Sequence, residues 1–517
     1  MNSFKTNGYV IFFLLMLTSC SGRIPDASVQ LNSHASIYPD YVNTTIPWNI
    51  APMNFLILDD ADDYVTLFYN NNGSTVTSNG PKVQVKLRAW ENLLKKSRGD
   101  TLFIDIYCKR NQQWFKYRSI NNLVAKEQID DYISYRLIEP SYVTYENITI
   151  NQRNLNNFNE SVIYNNSSLS KGDNGQCINC HSYQDYNKNA KMQFHVRGNL
   201  AGTVIVNDNL ATKVNLKTDE TISAGVYPSW HPKKNMIVYS VNNTYQNFHT
   251  NDIQKVEVID ENSGLILYDV DENEIYNVVN NPEELATFPS WSPDGKYLYY
   301  ASAKHPEPND ITGKIYMHYD KLRYNILRKE FDSEHKRFMN TDTIILAENF
   351  GKSATFPRVS PNGRYLLFTL ADYGNFHIWH KSSDLYLLDM KNQLLRAMSE
   401  LNSPDVESYH SWSSNGSWII FSSRREDGSY TRPYIAHFNS SNGRAGKPFL
   451  LPQKDPEYYG QLYKSFNIPE FMVEPVTISK KSLVDAISKD PIQSGFSQID
   501  TNNYILVDKS KQDHFYD

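Results

Sequence analysis

Phe288-Pro-Ser-Trp-Ser-Pro-Asp-Gly-Lys-Tyr-Leu-Tyr-Tyr-Ala301 decides the fold, because the chain repeats its pattern. Tyr227-Pro-Ser-Trp-His-Pro-Lys-Lys-Asn-Met-Ile-Val-Tyr-Ser240 precedes it. Phe356-Pro-Arg-Val-Ser-Pro-Asn-Gly-Arg-Tyr-Leu-Leu-Phe-Thr369 and Tyr409-His-Ser-Trp-Ser-Ser-Asn-Gly-Ser-Trp-Ile-Ile-Phe-Ser422 follow. The fourth positions, Trp230, Trp291, Val359 and Trp412, stand 61, 68 and 53 residues apart. Each unit opens on an aromatic residue and, in three of the four, a proline, then places a bulky residue on a first strand. In the second to fourth units an Asp-Gly or Asn-Gly pair makes the tight turn, Gly taking φ > 0. An apolar strand follows, and further strand-like runs such as Leu265–Val270 and Leu385–Met390 complete about four strands per unit. Repeats of this length that cannot bury their faces alone must stack on one another, and four-stranded units stacked radially make a β-propeller.

The repeat resembles the WD-like repeat of TolB-type propellers over roughly residues 200–470, and Phe421-Ser-Ser-Arg-Arg-Glu-Asp-Gly428 has the same character. The resemblance implies the fold and is nearly silent on activity. A fifth, unmarked blade is expected from Gly202–Val206 and Lys213–Leu216. Residues 200–475 are therefore assigned to a five- or six-bladed propeller, and 476–517 to a C-terminal extension that could close the ring. Between 48 and 165, short β-branched and aromatic runs (Phe55–Leu58, Tyr64–Tyr69, Val83–Leu87, Leu102–Cys108, Trp114–Tyr117) are separated by turn formers such as Asn70-Asn71-Asn72-Gly73. A β-sandwich-like domain is expected there, with Cys108 buried. The fold class is all-β.

Gly175-Gln-Cys177-Ile-Asn-Cys180-His181-Ser-Tyr183 lies in the intervening segment, residues 166–199, and holds Cys-x-x-Cys-His, the attachment pattern of c-type haem. The spacing lets two thiols add to two vinyl groups on one porphyrin edge while the next imidazole reaches the iron. The expectation is one covalent haem c on Cys177 and Cys180, with His181 as proximal ligand. For the distal position, strand periodicity puts Met192, Phe194 and Val196 on one face and His195 and Arg197 on the other. His195 is preferred, with Arg197 on a propionate, and Met192 is the alternative. A Cys177–Cys180 disulfide, a zinc site and a redox dithiol compete with haem. Residues 166–199 are thus read as a haem-attachment linker.

The first residues pair Lys5 with an apolar stretch from Tyr9 to Leu17 and end in Leu17-Thr18-Ser19-Cys20, the form of an export signal. Leu-Thr-Ser-Cys resembles the bacterial lipobox, which implies a signal peptide over 1–19, lipid on Cys20 and a tether over 20–47. Several acyl chains, at roughly 0.8 kcal/mol per buried methylene, give stable anchoring. Ser21 after the cysteine leans toward the outer membrane, with the protein facing the periplasm.

Composition bounds the rest. The 517 residues carry 51 Lys+Arg against 57 Asp+Glu, a net charge of −6 without a basic block, so no nucleic-acid partner is expected. With 13% aromatics the chain is not disordered. No Gly-x-Ser-x-Gly, Walker or His-Glu-x-x-His motif is present. His231, His249, His377, His380 and His410 fall in or near blade segments and are expected mostly on surface loops. The function expected is a membrane-anchored periplasmic haem protein for electron transfer or redox sensing, its propeller docking a protein partner. A non-redox scaffold for a protein or glycan is the alternative, and a peroxidase-like or polysaccharide-active enzyme the second.

Overall fold

The quoted segments form the inner hairpins of four blades in a six-bladed propeller. The computed structural model describes residues 24–139, 147–169, 177–252, 254–306 and 314–497. Blade III comprises Val226–Trp230, Met236–Phe248, Val256–Asp269 and Glu274–Val279. Blade IV comprises Glu284–Trp291, Tyr297–Lys304, Asn325–Asp332 and Arg337–Ile345. Blade V comprises Ser353–Val359, Tyr365–Ala371, Asp384–Asp389 and Leu394–Ala397, and blade VI runs from Glu407–Trp412 to Phe449–Leu450.

Blade II is Ile178–Tyr183, Met192–Val196, Gly202–Asn207 and Leu210–Asn215. The segment expected as a haem-attachment linker thus supplies the two inner strands of a blade, because its apolar residues Ile178, Phe194 and Val196 need a seam to be buried in. Blade I is split along the chain: Tyr132–Ile138, Thr149–Asn154 and Glu160–Asn165 form its outer strands, and Ser465–Met472 supplies its innermost. The expected sandwich boundary at 165 therefore moves back, since the last three strands of 48–165 pair with the chain's C-terminal region. Closure comes from Ser465–Met472, and not from the described part of the expected extension, 476–497. Beyond it, Lys480–Ile487 is a helix on blade II, while Ile492–Gln493 and Gly495–Phe496 add to the outer edges of blades II and III.

Every seam between blades has its apolar filling, the reason the blades stand only together. Ile150 and Tyr164 meet Phe194 between blades I and II. Ile205 meets Tyr239 in the next seam, Leu267 meets Trp291, and Tyr299 meets Leu366. The largest cluster joins blades V, VI and I to the N-terminal domain through Leu387, Trp418, Phe466 and Phe55.

That domain is a seven-stranded sheet with a three-stranded sheet and one helix beside it. The expected strand Val83–Leu87 stops at Val83, and Leu87–Ser97 is the helix. Trp90, Leu93, Leu94 and Ser97 fall at i, i+3, i+4 and i+7 and are its buried face. Within the expected tether, Val29–Gln30, Ile37–Tyr38 and Thr45–Pro47 are strands, Val29 pairing with Phe115 and Thr45 with Leu123, so the part from residue 24 on belongs to the domain. Cys20 lies outside the described residues.

Candidate functional site

All six inner strands carry the same irregularity. One residue in each has positive φ: Cys180 (55°), Tyr227 (48°), Phe288 (52°), Phe356 (54°), Tyr409 (36°) and Ile468 (50°). Each sits at a register shift against the second strand, the signature of a β-bulge. The next residue is Pro228, Pro289, Pro357 or Pro469 in four blades, which a bulge on an edge strand tolerates because no ladder N–H is needed there. His181 and His410 take that place in blades II and VI.

The bulge residues meet around the axis. Ring centroids lie 4.4 Å apart for Tyr227–Phe288, 4.2 Å for Phe288–Phe356 and 4.8 Å for Phe356–Tyr409. The long hairpin of blade III closes one end of the channel: Ile259 packs on Leu285, Phe288 and Phe356. Beside it Asn375 donates to Asp260 at 2.7 Å, and His380 pairs with Glu257 at 2.9 Å, both residues buried. The axis is therefore blind at that end.

At the other end it opens into a cavity of 380 Å³. Two residues past each bulge stand Ser182, Ser229, Ser290, Arg358, Ser411 and Glu470, all lining it. One residue further, Tyr183, Trp230, Trp291, Val359, Trp412 and Phe471 form its walls. Indole N–H groups lock the walls between blades: Trp291 donates to the Ser229 carbonyl (3.2 Å) and Trp412 to the Arg358 carbonyl (3.1 Å). Four serines thus share the ring with one cation and one anion. Burial pushes the Glu470 carboxyl up to about 7, Arg358 opposing the shift. Burial lowers Arg358, and Glu470 partly restores it.

The residues singled out by sequence gather at the inner edge of blade II. Cys180 and His181 are buried in the bulge, Cys177 is half-buried just before the strand, and all of Cys108, Cys177 and Cys180 are free thiols. The His181 ring is 1% exposed and neither nitrogen makes a well-formed hydrogen bond, the Ile468 backbone lying beside it. Burial, then the Arg136 charge, holds it down to about 3, with the Ile468 backbone opposing. Burial raises the Cys180 thiol, and Arg197 and Arg136 lie near enough to oppose that. The Arg136 guanidinium donates to the Ile178 carbonyl (3.1 Å) and to Asn467 (3.1 Å).

The strand periodicity expected for 192–197 is the one observed. Met192 fills the seam with blade I beside Phe194 and Val196. His195 pairs across the ladder with Asn179, lies 3.3 Å from the Thr203 hydroxyl, and is held down to about 3 by burial and then Arg197. Among the described residues no three of His, Cys, Asp and Glu gather to hold a metal ion, so the zinc alternative has no site there. Two thiols, an imidazole and two guanidinium groups are the donor types covalent haem takes; Cys180, His181 and His195 lie packed in the blade, outside the lining of the axial cavity.

Four of the five blade histidines are buried, contrary to the expectation of surface loops. His231 replaces the turn serine of its neighbours. Its Nδ1 accepts from the N–H groups of Lys233 (3.1 Å) and Lys234 (2.9 Å), whereas the hydroxyls of Ser292 and Ser360 accept from N–H groups five residues on, those of Tyr297 and Tyr365. His377 bridges the hydroxyls of Thr355 and Thr369, each at 2.9 Å. His410 donates to the Leu367 carbonyl at 3.0 Å. Sequence reasoning missed Arg358 and Glu470. The signal available was the interruption of Pro-Ser-Trp by Pro357-Arg358-Val359.

No family model matches the chain, and no curated protein matches it. Solved structures with a likeness to it include one from a study of two prolyl endopeptidases, at 12% identity and TM-score 0.31, over 62% of this chain and 42% of that one. Prolyl oligopeptidase B from Galerina marginata aligns at 11% identity and TM-score 0.34, over 60% and 43%. An ancestral GH74 enzyme aligns at 11% and 0.33, over 62% and 46%. The chain spans less than half the length of each, and likeness this distant carries no argument about activity. What the chain's own strand order establishes is an all-β, six-bladed propeller joined to a mainly β N-terminal domain.

Proposed function

We propose that the chain is a binding protein that takes its ligand in the blind axial pocket, held at the cell envelope by a lipid on Cys20. The observation that carries this is the interruption of a serine ring by Arg358 and Glu470 in a cavity closed at its far end. Structural blades need no charge at that position, as the four serines show. Filling the mouth tests it: Ser229→Trp should abolish the thermal shifts that small ligands produce in the wild type, each protein's shift being read against its own ligand-free melting temperature because the change also removes the Ser229 hydroxyl that accepts from the Trp291 backbone N–H. Shifts that survive the filled mouth would remove the pocket from the function.

A second reading, a c-type haem protein for electron transfer or redox sensing with the propeller docking a protein partner, is favoured by the imidazole of His181, buried without a well-formed hydrogen bond. Cys177 and Cys180 would hold the group through thioethers, His181 would ligate its iron, and Arg136 and Arg197 are the cations available to its propionates. His195 would serve as second ligand, Met192 being committed to the seam with blade I. Bound haem supplies one-electron chemistry. The chain's part is to keep His181 neutral, which burial and Arg136 do by lowering its proton affinity. Expressed in a host that matures c-type cytochromes, the protein should keep haem through denaturing electrophoresis, and Cys177→Ala and Cys180→Ala should each lose it. A wild-type band without haem removes this reading and leaves the axial pocket untouched.

A further inference from the structure

Arg358 and Glu470 occupy the same strand position in blades V and I, with Ser411 of blade VI between them. No hydrogen bond or close ion pair joins them, although each feels the other's charge. The Arg358 side chain donates only to the adjacent Pro357 carbonyl, at 3.3 Å, and no side chain among the described residues bonds the Glu470 carboxylate. Both are only partly exposed, at the head of an aromatic-walled cavity. Neither has a buried polar atom left without a partner, so both charged ends reach the cavity's solvent, each answered by the other's charge across the ring. An anionic ligand alone would meet Glu470 as a repulsion, a cationic ligand would meet Arg358, and a neutral sugar would leave both unpaired.

We propose that the axial pocket takes a small zwitterion of α-amino-acid size, its carboxylate on Arg358, its ammonium on Glu470 and its apolar part against Trp230, Trp291 and Trp412. This rests on the axial pocket being the binding site. The 380 Å³ cavity is at the small end of the about 300–1,000 Å³ of small-molecule sites, which suits a ligand of that size. Both contacts are charge-assisted hydrogen bonds, the strong kind, and each sets a half-buried charge against its opposite.

The test is calorimetry on the full mature protein with the common L-amino acids, then with the decarboxylated and deaminated analogues of the tightest binder, and with cellobiose as a neutral ligand. An amino acid should bind, and each analogue should bind at least about tenfold more weakly. Arg358→Gln should weaken the amino acid by a similar factor and leave the decarboxylated amine unchanged or tighter. Glu470→Gln should do the same with the deaminated acid. Analogues that bind as well as the parent, or no amino acid binding at all, would overturn the proposal. Cellobiose binding that Ser229→Trp abolishes would overturn the zwitterion and keep the axial site, whereas binding of any probe that survives the filled mouth would remove the site as well.

Discussion

Replacing Gly295 by Ala should injure the seam between blades III and IV far more than the same change one blade later. Gly295 ends the Ser-Pro-Asp-Gly turn of blade IV with φ +77°, and a Cβ there would lie 2.4 Å from His231 Nε2 and 2.5 Å from Cε1. Because His231 Nδ1 accepts two backbone N–H groups, its proton sits on Nε2, which donates to the Gly295 carbonyl at 3.1 Å. Gly363 holds the equivalent place in blade V at φ +71° with nothing within 4 Å of a new Cβ. Gly363→Ala should therefore cost only the left-handed backbone term, about 1–2 kcal/mol. Gly295→Ala adds the hydrogen bond, about 0.5–1.5 kcal/mol, and the displacement of a ring packed against Trp291 at 4.8 Å between centroids. A total of about 3–4 kcal/mol is expected. Guanidinium unfolding followed by tryptophan fluorescence, with slopes compared among variants, measures it. Restoring the turn serine with His231→Ser should bring the cost of Gly295→Ala down to that of Gly363→Ala, a coupling of about 1.5–3 kcal/mol. The reasoning is refuted if Gly295→Ala costs no more than Gly363→Ala, or if the two changes in the double variant simply add.

Glu470 titrates above its ordinary range in the fold, at about 7 against 4.5, so its contribution to stability is complete below about pH 4.5 and declines as pH rises to about 7. Glu470→Gln should therefore gain on the wild type between pH 5 and pH 8 in matched unfolding curves, and a constant difference would contradict this. His231 is held down to about 4, mainly by burial, so its contribution is full above 6.5 and is lost as pH falls toward 4. His231→Ser should flatten that limb, which melting curves across the window will show. Ending the chain before Ser465 should yield aggregated or protease-sensitive protein, which limited proteolysis will show. Cys20→Ala should move the mature protein from the membrane to the soluble envelope fraction, and retention at the membrane would refute lipidation there.

Blades III to VI were legible because their segments share an aromatic opening and a bulky fourth residue, and three of them an Asn-Gly or Asp-Gly turn. Blade II was legible in its outer half, since Gly202–Asn207 and Leu210–Asn215 fall on the runs from which a fifth blade is expected, but its inner strands were hidden by their own chemistry. Asn179-Cys180-His181-Ser182-Tyr183 fills the slot that Val226-Tyr227-Pro228-Ser229-Trp230 fills in blade III, yet composition alone reads it as a cofactor motif. Gln184 stands where the turn serine would be, so no turn signature marks the hairpin. Blade I could not be read locally at all, because its innermost strand lies over 300 residues from its neighbour, as in Arg136 opposite Asn467. The two channel charges were visible as letters, but which side chains face the axis is set by the bulge, and a bulge has no fixed sequence mark.

The split blade governs the order in which the protein can be completed. Tyr132–Ile138 emerges early and presents its inner edge unpaired until Ser465–Met472 arrives. Blades II to VI can stack as they are synthesised, since their contacts are largely local. The ring itself can lock only after Ser465–Met472 is released, when a loop-closure cost set by the whole intervening chain is met at once. Through that interval an apolar strand edge stands open to other chains. Crowding of nascent copies at the site of synthesis is thus the moment of greatest hazard for this protein, and stop codons between residues 138 and 465 would prolong it indefinitely.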